Sequence, residues 1–217
     1  MTEPAAGTSR RRAPQVLVLT GPSGAGKSRL ALRLHAEHGW PVVELDDFYR
    51  ELGDPGLPMS GLGLPDWDDV RSWHLDAATD ALETLCRTGR AHFPVYDISA
   101  SAVTGTRDVV VGDAHVIVAE GIFAAHTVAP LRERGLLADA WCIRGRPWVT
   151  FWRRFVRDVR EHRKPAVTLW RRGHVLRRAE AGIVREQQAQ GAVPMTGAAA
   201  QDRARHVLRA ANGGGPG

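Results

Sequence analysis

Gly21, Gly26, Lys27 and Ser28 stand at the spacing Gly-x-x-x-x-Gly-Lys-[Ser/Thr], with Ser23, Gly24 and Ala25 between the constrained positions and Arg29 just after them. Residues of these types at this spacing can cradle a phosphate. Glycines let backbone N–H groups converge on phosphate oxygens, a helix N-terminus adds its positive dipole, the lysine reaches a transferable phosphate, and the serine hydroxyl can hold a magnesium ion. The pattern carries weight only between a strand and a helix. The apolar run Val16–Leu19 before it, and Leu30, Ala31 and Leu34 at helical spacing after it, supply that context.

Carboxylates recur where such a loop would need them. Pro41–Leu45 is short and β-branched, reads as a buried strand, and ends in Asp46 and Asp47. The run His115–Val118 leads into Glu120-Gly121 in the same way. In an open α/β sheet the C-terminal edge of the strands faces the ligand crevice, so Asp46 and Glu120 are expected beside the phosphate loop. Glu120 suits magnesium binding, directly or through water, and Asp47 reads as a cap or turn aspartate. Asp66-Trp67-Asp68 places an aromatic ring among acids that could read hydroxyls and a flat ring. Near the C-terminal third, Pro147–His162 carries Trp148, Phe151, Trp152 and Phe155 on one side and Arg153, Arg154, Arg157 and Arg160 on the other. Followed by Arg163 and Lys164, it is a cationic segment of the kind that folds over phosphates.

The elements that must hold these residues form an α/β pattern. Trp73, Ala77, Ala78, Ala81, Leu82 and Leu85 make a helical face, and His92–Asp97 reads as an extended piece that Pro94 keeps out of a central sheet position. A helix is expected over Val128–Leu137, a strand over Ala140–Ile143, a long helix over Leu169–Gln190, a short strand over Ala192–Met195 and a terminal helix over Ala199–Ala211. With 217 residues and 43% hydrophobic content, one α/β domain is the expectation. It spans residues 14–211, with a substrate flap at about 50–69 and 91–107 and a lid at about 157–168. Residues 1–13 and 212–217 lack periodicity and read as disordered tails. The net charge is +5, and lysine occurs only at 27 and 164 among 29 lysine and arginine residues. Positive charge suits polyphosphate ligands as well as nucleic acid. Cys86 and Cys142 lack metal-ligand spacing and read as reduced core residues. No stretch has the length of a membrane span, and a cytoplasmic location is expected.

Taken in order, the loop Gly21–Ser28, Leu45-Asp46-Asp47-Phe48-Tyr49-Arg50, Asp66-Trp67-Asp68, Pro94-Val95-Tyr96-Asp97, Val118-Ala119-Glu120-Gly121 and Arg153-Arg154-Phe155-Val156-Arg157-Asp158 resemble the uridine/cytidine kinase family of P-loop kinases. That family stands close to the phosphoribulokinase and bacterial pantothenate kinase groups. The resemblance runs from about Gln15 to Lys164. It implies a P-loop NTPase fold, a parallel sheet flanked by helices, and ATP- and Mg2+-dependent phosphoryl transfer to a 5'-hydroxyl of a nucleoside, with uridine or cytidine first. It implies Asp46 as general base and partner of magnesium, with Glu120 and Ser28 in the metal's shell. Tyr49, Asp68 and Tyr96 would line the nucleoside pocket, Asp68 accepting from ribose hydroxyls. Arg154 would contact the acceptor, and Arg157, with the lid residues His162 and Lys164, the ATP phosphates. Two departures stand out. The lid reads Glu161-His162-Arg163-Lys164 where the family has Glu-Arg-Gly-Arg, and Ser101 occupies the place of a base-reading histidine. An acceptor other than a pyrimidine nucleoside, such as pantothenate, a sugar acid or a nucleoside antibiotic, fits the same phosphate machinery. A nucleotide-binding regulator without transfer activity and an arginine-rich nucleic-acid-binding NTPase are the readings from other classes, the latter without any nucleic-acid-reading motif. Family members often associate, but no residue here marks an interface.

Overall fold

A computed structural model describes residues 13–61, 63–144 and 181–211. Strands β1 (Gln15–Thr20), β2 (Val42–Glu44), β5 (Val116–Glu120), β6 (Leu137–Ile143) and β7 (Val193–Met195) form one parallel sheet in the order β2-β5-β1-β6-β7. Its central strand carries the phosphate loop. Strands β3 (Arg90–Asp97) and β4 (Ala102–Val110) form a separate antiparallel hairpin. Pro94 is accommodated there opposite Thr106, outside the main sheet, as its missing N–H demands.

The alternation of side chains along the strands explains the layering. Val16, Val18, Ile117, Ala119, Ala140 and Cys142 face one core, whose other wall is Leu82, Leu85 and Cys86 of helix α2 (Leu75–Thr88) with Val128 and Leu131 of helix α3 (Val128–Glu133). The alternate residues Leu17, Leu19, Val116, Val118, Trp141 and Ile143 face a second core. Its other wall is Leu30, Ala31 and Leu34 of helix α1 (Lys27–His38) and Ala200, Ala204 and Val207 of helix α4 (Gly197–Ala211). The sheet is therefore covered on both faces, as a parallel sheet requires. Each fully enclosed leucine or valine stabilises the fold by roughly 1.5–3 kcal/mol before entropy is counted.

The expected elements recur with shifted ends. β2 stops at Glu44, where its partner β5 stops at Glu120, and Leu45 opens a 3-10 turn (Leu45–Phe48) instead of ending the strand. Helix α3 ends at Glu133, short of Leu137. Gly135 and Leu136 close the turn by donating to the Arg132 and Leu131 carbonyls, and β6 begins at Leu137. Trp73 belongs to no helix; it precedes α2 and donates its indole N–H to the Leu45 carbonyl at 2.6 Å. Residues 181–189 are helical. The expected helix at Pro147–His162, the lid, and the tail residues other than Ala13 lie outside the described residues.

Candidate functional site

β1 is buried through Thr20 and delivers the chain to the loop at the C-terminal edge of the sheet. Gly21 approaches the end of β6 so closely that a Cβ there would overlap the Ile143 carbonyl oxygen, and its φ of 139° is one that side chains rarely adopt. Gly26 takes φ 100° as it caps α1, a left-handed position that glycine occupies without steric cost. Ser23, Gly24 and Ala25 complete the arch, and Ser28 and Arg29 open the first helical turn with exposed side chains. The Lys27 ammonium folds back over the arch and donates to the Gly21 carbonyl at 3.1 Å. Lys27 is 8% exposed. The arrangement is a glycine-rich arch at a helix N-terminus, a geometry whose backbone N–H groups and dipole favour an anion.

The two strands on one side of β1 bring the acids to this arch. The β2–β5 register places Glu44 beside Glu120, and Asp46 follows two residues later in the 3-10 turn. Burial raises the Glu120 carboxyl above its usual range. A hydrogen bond from Ser28 and the Lys27 charge oppose that rise, while Asp46 and Glu44 reinforce it. Desolvation within the crevice likewise raises Asp46, against the pull of Lys27 and a backbone N–H, with Asp47 adding to the rise. Asp46 nonetheless keeps a solvent-facing side. Its Oδ1 accepts the Ile122 N–H at 2.8 Å, which leaves Oδ2 as the oxygen turned to other use. Room for this approach comes from Gly121, where a Cβ would lie 2.8 Å from the same Oδ1.

Next to Asp46 the chain builds an aromatic recess. Tyr49 lies 6.0 Å from both Trp67 and Tyr96 and 5.9 Å from Phe123, ring centroid to centroid. Burial holds the Tyr49 phenol far above its usual range, and the charges of Asp46 and Asp68 push the same way. The Tyr49 hydroxyl donates to the Trp67 carbonyl at 3.4 Å. Tyr96 donates to the Arg50 carbonyl at 2.9 Å and is hydrogen-bonded to Ser101. Ser101 sits in the hairpin turn at φ 51°, the sole non-glycine at positive φ among the described residues.

Asp47 does not face the loop. It accepts the Tyr96 N–H at 3.2 Å and pairs with Arg107 at 3.4 Å, so it fastens the β3–β4 hairpin to the strand-edge acids. The turn role read from the sequence thus becomes a cross-element tie. Arg154, Arg157, His162 and Lys164 lie outside the described residues. Sequence reasoning missed Ile122, Phe123 and Gln187, because an aliphatic, an aromatic and an amide scattered over the chain carry no motif; Gly121, beside a strand-end acid, is the one signal that points toward them.

The oxygen donors suit a hard cation such as magnesium: Ser28 is hydrogen-bonded to Glu120, and the charge of Asp46 adds to the rise of the Glu120 carboxyl. They form only part of a ligand set, in keeping with a metal that arrives with phosphate oxygens and water. Among the described residues no cluster of three or more acids, histidines or cysteines could hold a metal by itself. No helix among them is long and apolar enough to cross a membrane.

Residues 16–97 match the AAA domain family. Uridine kinase of Saccharomyces cerevisiae is 28% identical over 116 residues, which is 52% of this chain and 23% of that protein. Cytidylate kinase of Rhodopirellula baltica is 32% identical over 84 residues, 39% of this chain and 34% of that protein. The chain therefore matches between about a quarter and a third of these relatives' lengths. A solved structure provisionally described as a fructose transport system kinase of Silicibacter sp. TM1040 superposes with a TM-score of 0.60 over 82% of this chain and 87% of that one, at 18% identity. That likeness establishes the fold. Together these findings bear out the resemblance to uridine kinase-like P-loop kinases.

Proposed function

We propose that this protein is an ATP- and magnesium-dependent kinase that phosphorylates a primary hydroxyl of a nucleoside or nucleoside-like acceptor, with uridine and cytidine as the first candidates. What supports the reading is Asp46, whose carboxylate feels the charge of Lys27, followed three residues later by Tyr49 in ring contact with Trp67 and Tyr96. A phosphate cradle opens onto a recess with aromatic faces for a planar base and carboxylates for hydroxyls. Among the described residues Asp68 accepts no side-chain hydrogen bond, so its carboxylate is available to a sugar.

Asp46 would take the acceptor's hydroxyl proton on Oδ2 as the oxygen attacks the γ-phosphorus, while the bond from that phosphorus to the ADP oxygen breaks. Lys27 and the loop N–H groups hold the phosphates in line and balance the charge of the transferring group, and positioning of this kind supplies most of the rate in phosphoryl transfer. Magnesium, held with Ser28, Glu120 and Asp46, would neutralise phosphate charge. From the resemblance, Arg154, Arg157, His162 and Lys164 would close over the phosphates.

Ser101 favours a second reading within kinases. It stands where a base-reading histidine is expected, so the recess can serve a different ring or a sugar acid through the same phosphate machinery. Incubation with ATP, magnesium and a panel of nucleosides, pantothenate and small sugar acids, with products identified by mass, tests both. A 5'-monophosphate of uridine or cytidine is the expected product. Phosphorylation of an acid instead moves the acceptor class, and ATP binding without any product shifts weight to an acceptor outside the panel or to a regulator.

A further inference from the structure

We propose that Gln187 is a positioning residue for Asp46, acting through the backbone of Ile122; the inference rests on the reading of Asp46 as the base. Gln187 lies in the helical residues 181–189, far in sequence from the strand-edge acids, yet it is 5% exposed. A buried side-chain amide is stable only when its donors and acceptor are matched. Here the match identifies both ends of the amide. The Cys142 thiol donates to Oε1 at 3.3 Å, so this end is the carbonyl, and Nε2 donates to the Ile122 carbonyl at 3.1 Å.

Ile122 is therefore held on both sides. Its N–H points to Asp46 Oδ1 at 2.8 Å and its C=O points to Gln187, with the buried Thr20 hydroxyl making a longer 3.5 Å approach to the same carbonyl. Rotating the Ile122 backbone away from Asp46 would break the Gln187 bond and strand a buried amide. Gly121, where a Cβ would lie 2.8 Å from the Asp46 carboxylate, brings no side chain to wedge the segment in place; its N–H holds to the Leu19 carbonyl at 3.2 Å, and the Ile122 carbonyl is left to Gln187 and Thr20. A second contact nearby, from the half-buried His126 to the exposed Glu186 at 4.0 Å, cannot supply a directional hold comparable to the buried amide. An apolar residue at 187 could fill the same space, but it would leave the Ile122 carbonyl with only the longer Thr20 contact.

The test begins with hydrogen exchange read by NMR on the ligand-free full chain, comparing wild type with Gln187→Met, which keeps the length and removes the donor. The expected result is at least a tenfold loss of protection at the Ile122 N–H, with the amides of Leu17 and Val118 unchanged. MgATP turnover, measured with the acceptor panel present, should fall about tenfold in kcat with the KM for MgATP unchanged. A folded variant with wild-type protection at Ile122 overturns the proposal, as does an even loss of protection across the sheet, which would mark Gln187 as a packing residue. If Gln187→Met does not fold, Cys142→Ala removes the donor that orients the amide while keeping Gln187, and a selective loss at Ile122 is again required. The two readings fail separately. An Asp46→Asn variant with full turnover sinks the base assignment whatever Ile122 does, whereas an inactive Asp46→Asn variant alongside an unaffected Ile122 in Gln187→Met sinks only the present inference.

Discussion

Asp46 combines properties that pull against each other: it keeps a solvent-facing side, yet burial, Lys27 and the Ile122 N–H together set how readily it holds a proton. A group so placed can accept a proton only while ionised, and its hydrogen bond through Oδ1 leaves one oxygen for the task. Asp46→Asn keeps the shape and loses the basicity. We expect kcat to fall by about 10²–10⁴ with MgATP affinity, measured by calorimetry, nearly unchanged; full activity in this variant would remove the base from the proposal. Gly121 gives an independent test of the same geometry. Gly121→Ala adds a Cβ at 2.8 Å from Asp46 Oδ1 and 3.1 Å from Leu45 Cβ, so the carboxylate must move. Displacements of about 1 Å in positioned groups cost up to about 10²-fold in rate. A kcat loss of that order, with a melting temperature only a few degrees lower, is the expected outcome in parallel kinetic and thermal measurements.

At the scale of elements, the hairpin β3–β4 has its own sheet and is joined to the acids by Asp47. Asp47→Ala removes the acceptor of the Tyr96 N–H and the partner of Arg107 together. The expected result is a several-fold rise in the acceptor's KM with a smaller change in kcat, together with loss of exchange protection at the Tyr96 amide. An unchanged KM would mean that the hairpin reaches its place without this tie. The periodicities that mark α1, α2, β1 and β5 are strong enough to read directly, because each side chain's direction follows from helix or strand geometry alone. Element ends are less legible. The end of β2 follows from the length of its neighbour β5, and the start of β6 from a turn through Gly135; neither boundary is written in local propensity.

For the whole molecule, the sheet covered on both faces makes a rigid platform, and the loop on its central strand makes ligand binding and stability one equilibrium. A ligand at 100 times its Kd stabilises the folded state by about 2.7 kcal/mol. MgATP should therefore raise the melting temperature by several degrees in a thermal scan. Lys27→Ala, which removes the cation folded over the arch, should abolish most of that rise; a variant that retains it would show that the loop is not the phosphate site. A fall in affinity for single-stranded or duplex DNA with salt, in the absence of any acceptor phosphorylation, would instead support the nucleic-acid reading.

What the sequence determined by itself is what depends on local geometry and spacing: the loop from Gly21 to Ser28 between strand and helix, the strand-end acids Asp46 and Glu120, and the exclusion of Pro94 from the main sheet. Each of these follows from a residue's own backbone constraints or from a fixed period. What only the tertiary structure decided is which distant groups share an environment. Asp47 turned toward the hairpin while Asp46 turned toward Lys27, although the two are adjacent and chemically alike. Gln187 met Ile122 across 65 positions of sequence. Such pairings depend on the order β2-β5-β1-β6-β7 in which the strands assemble, and on the requirement that every buried polar group find a partner once they do. That is a condition on the folded whole, which no single stretch of the chain can satisfy or reveal.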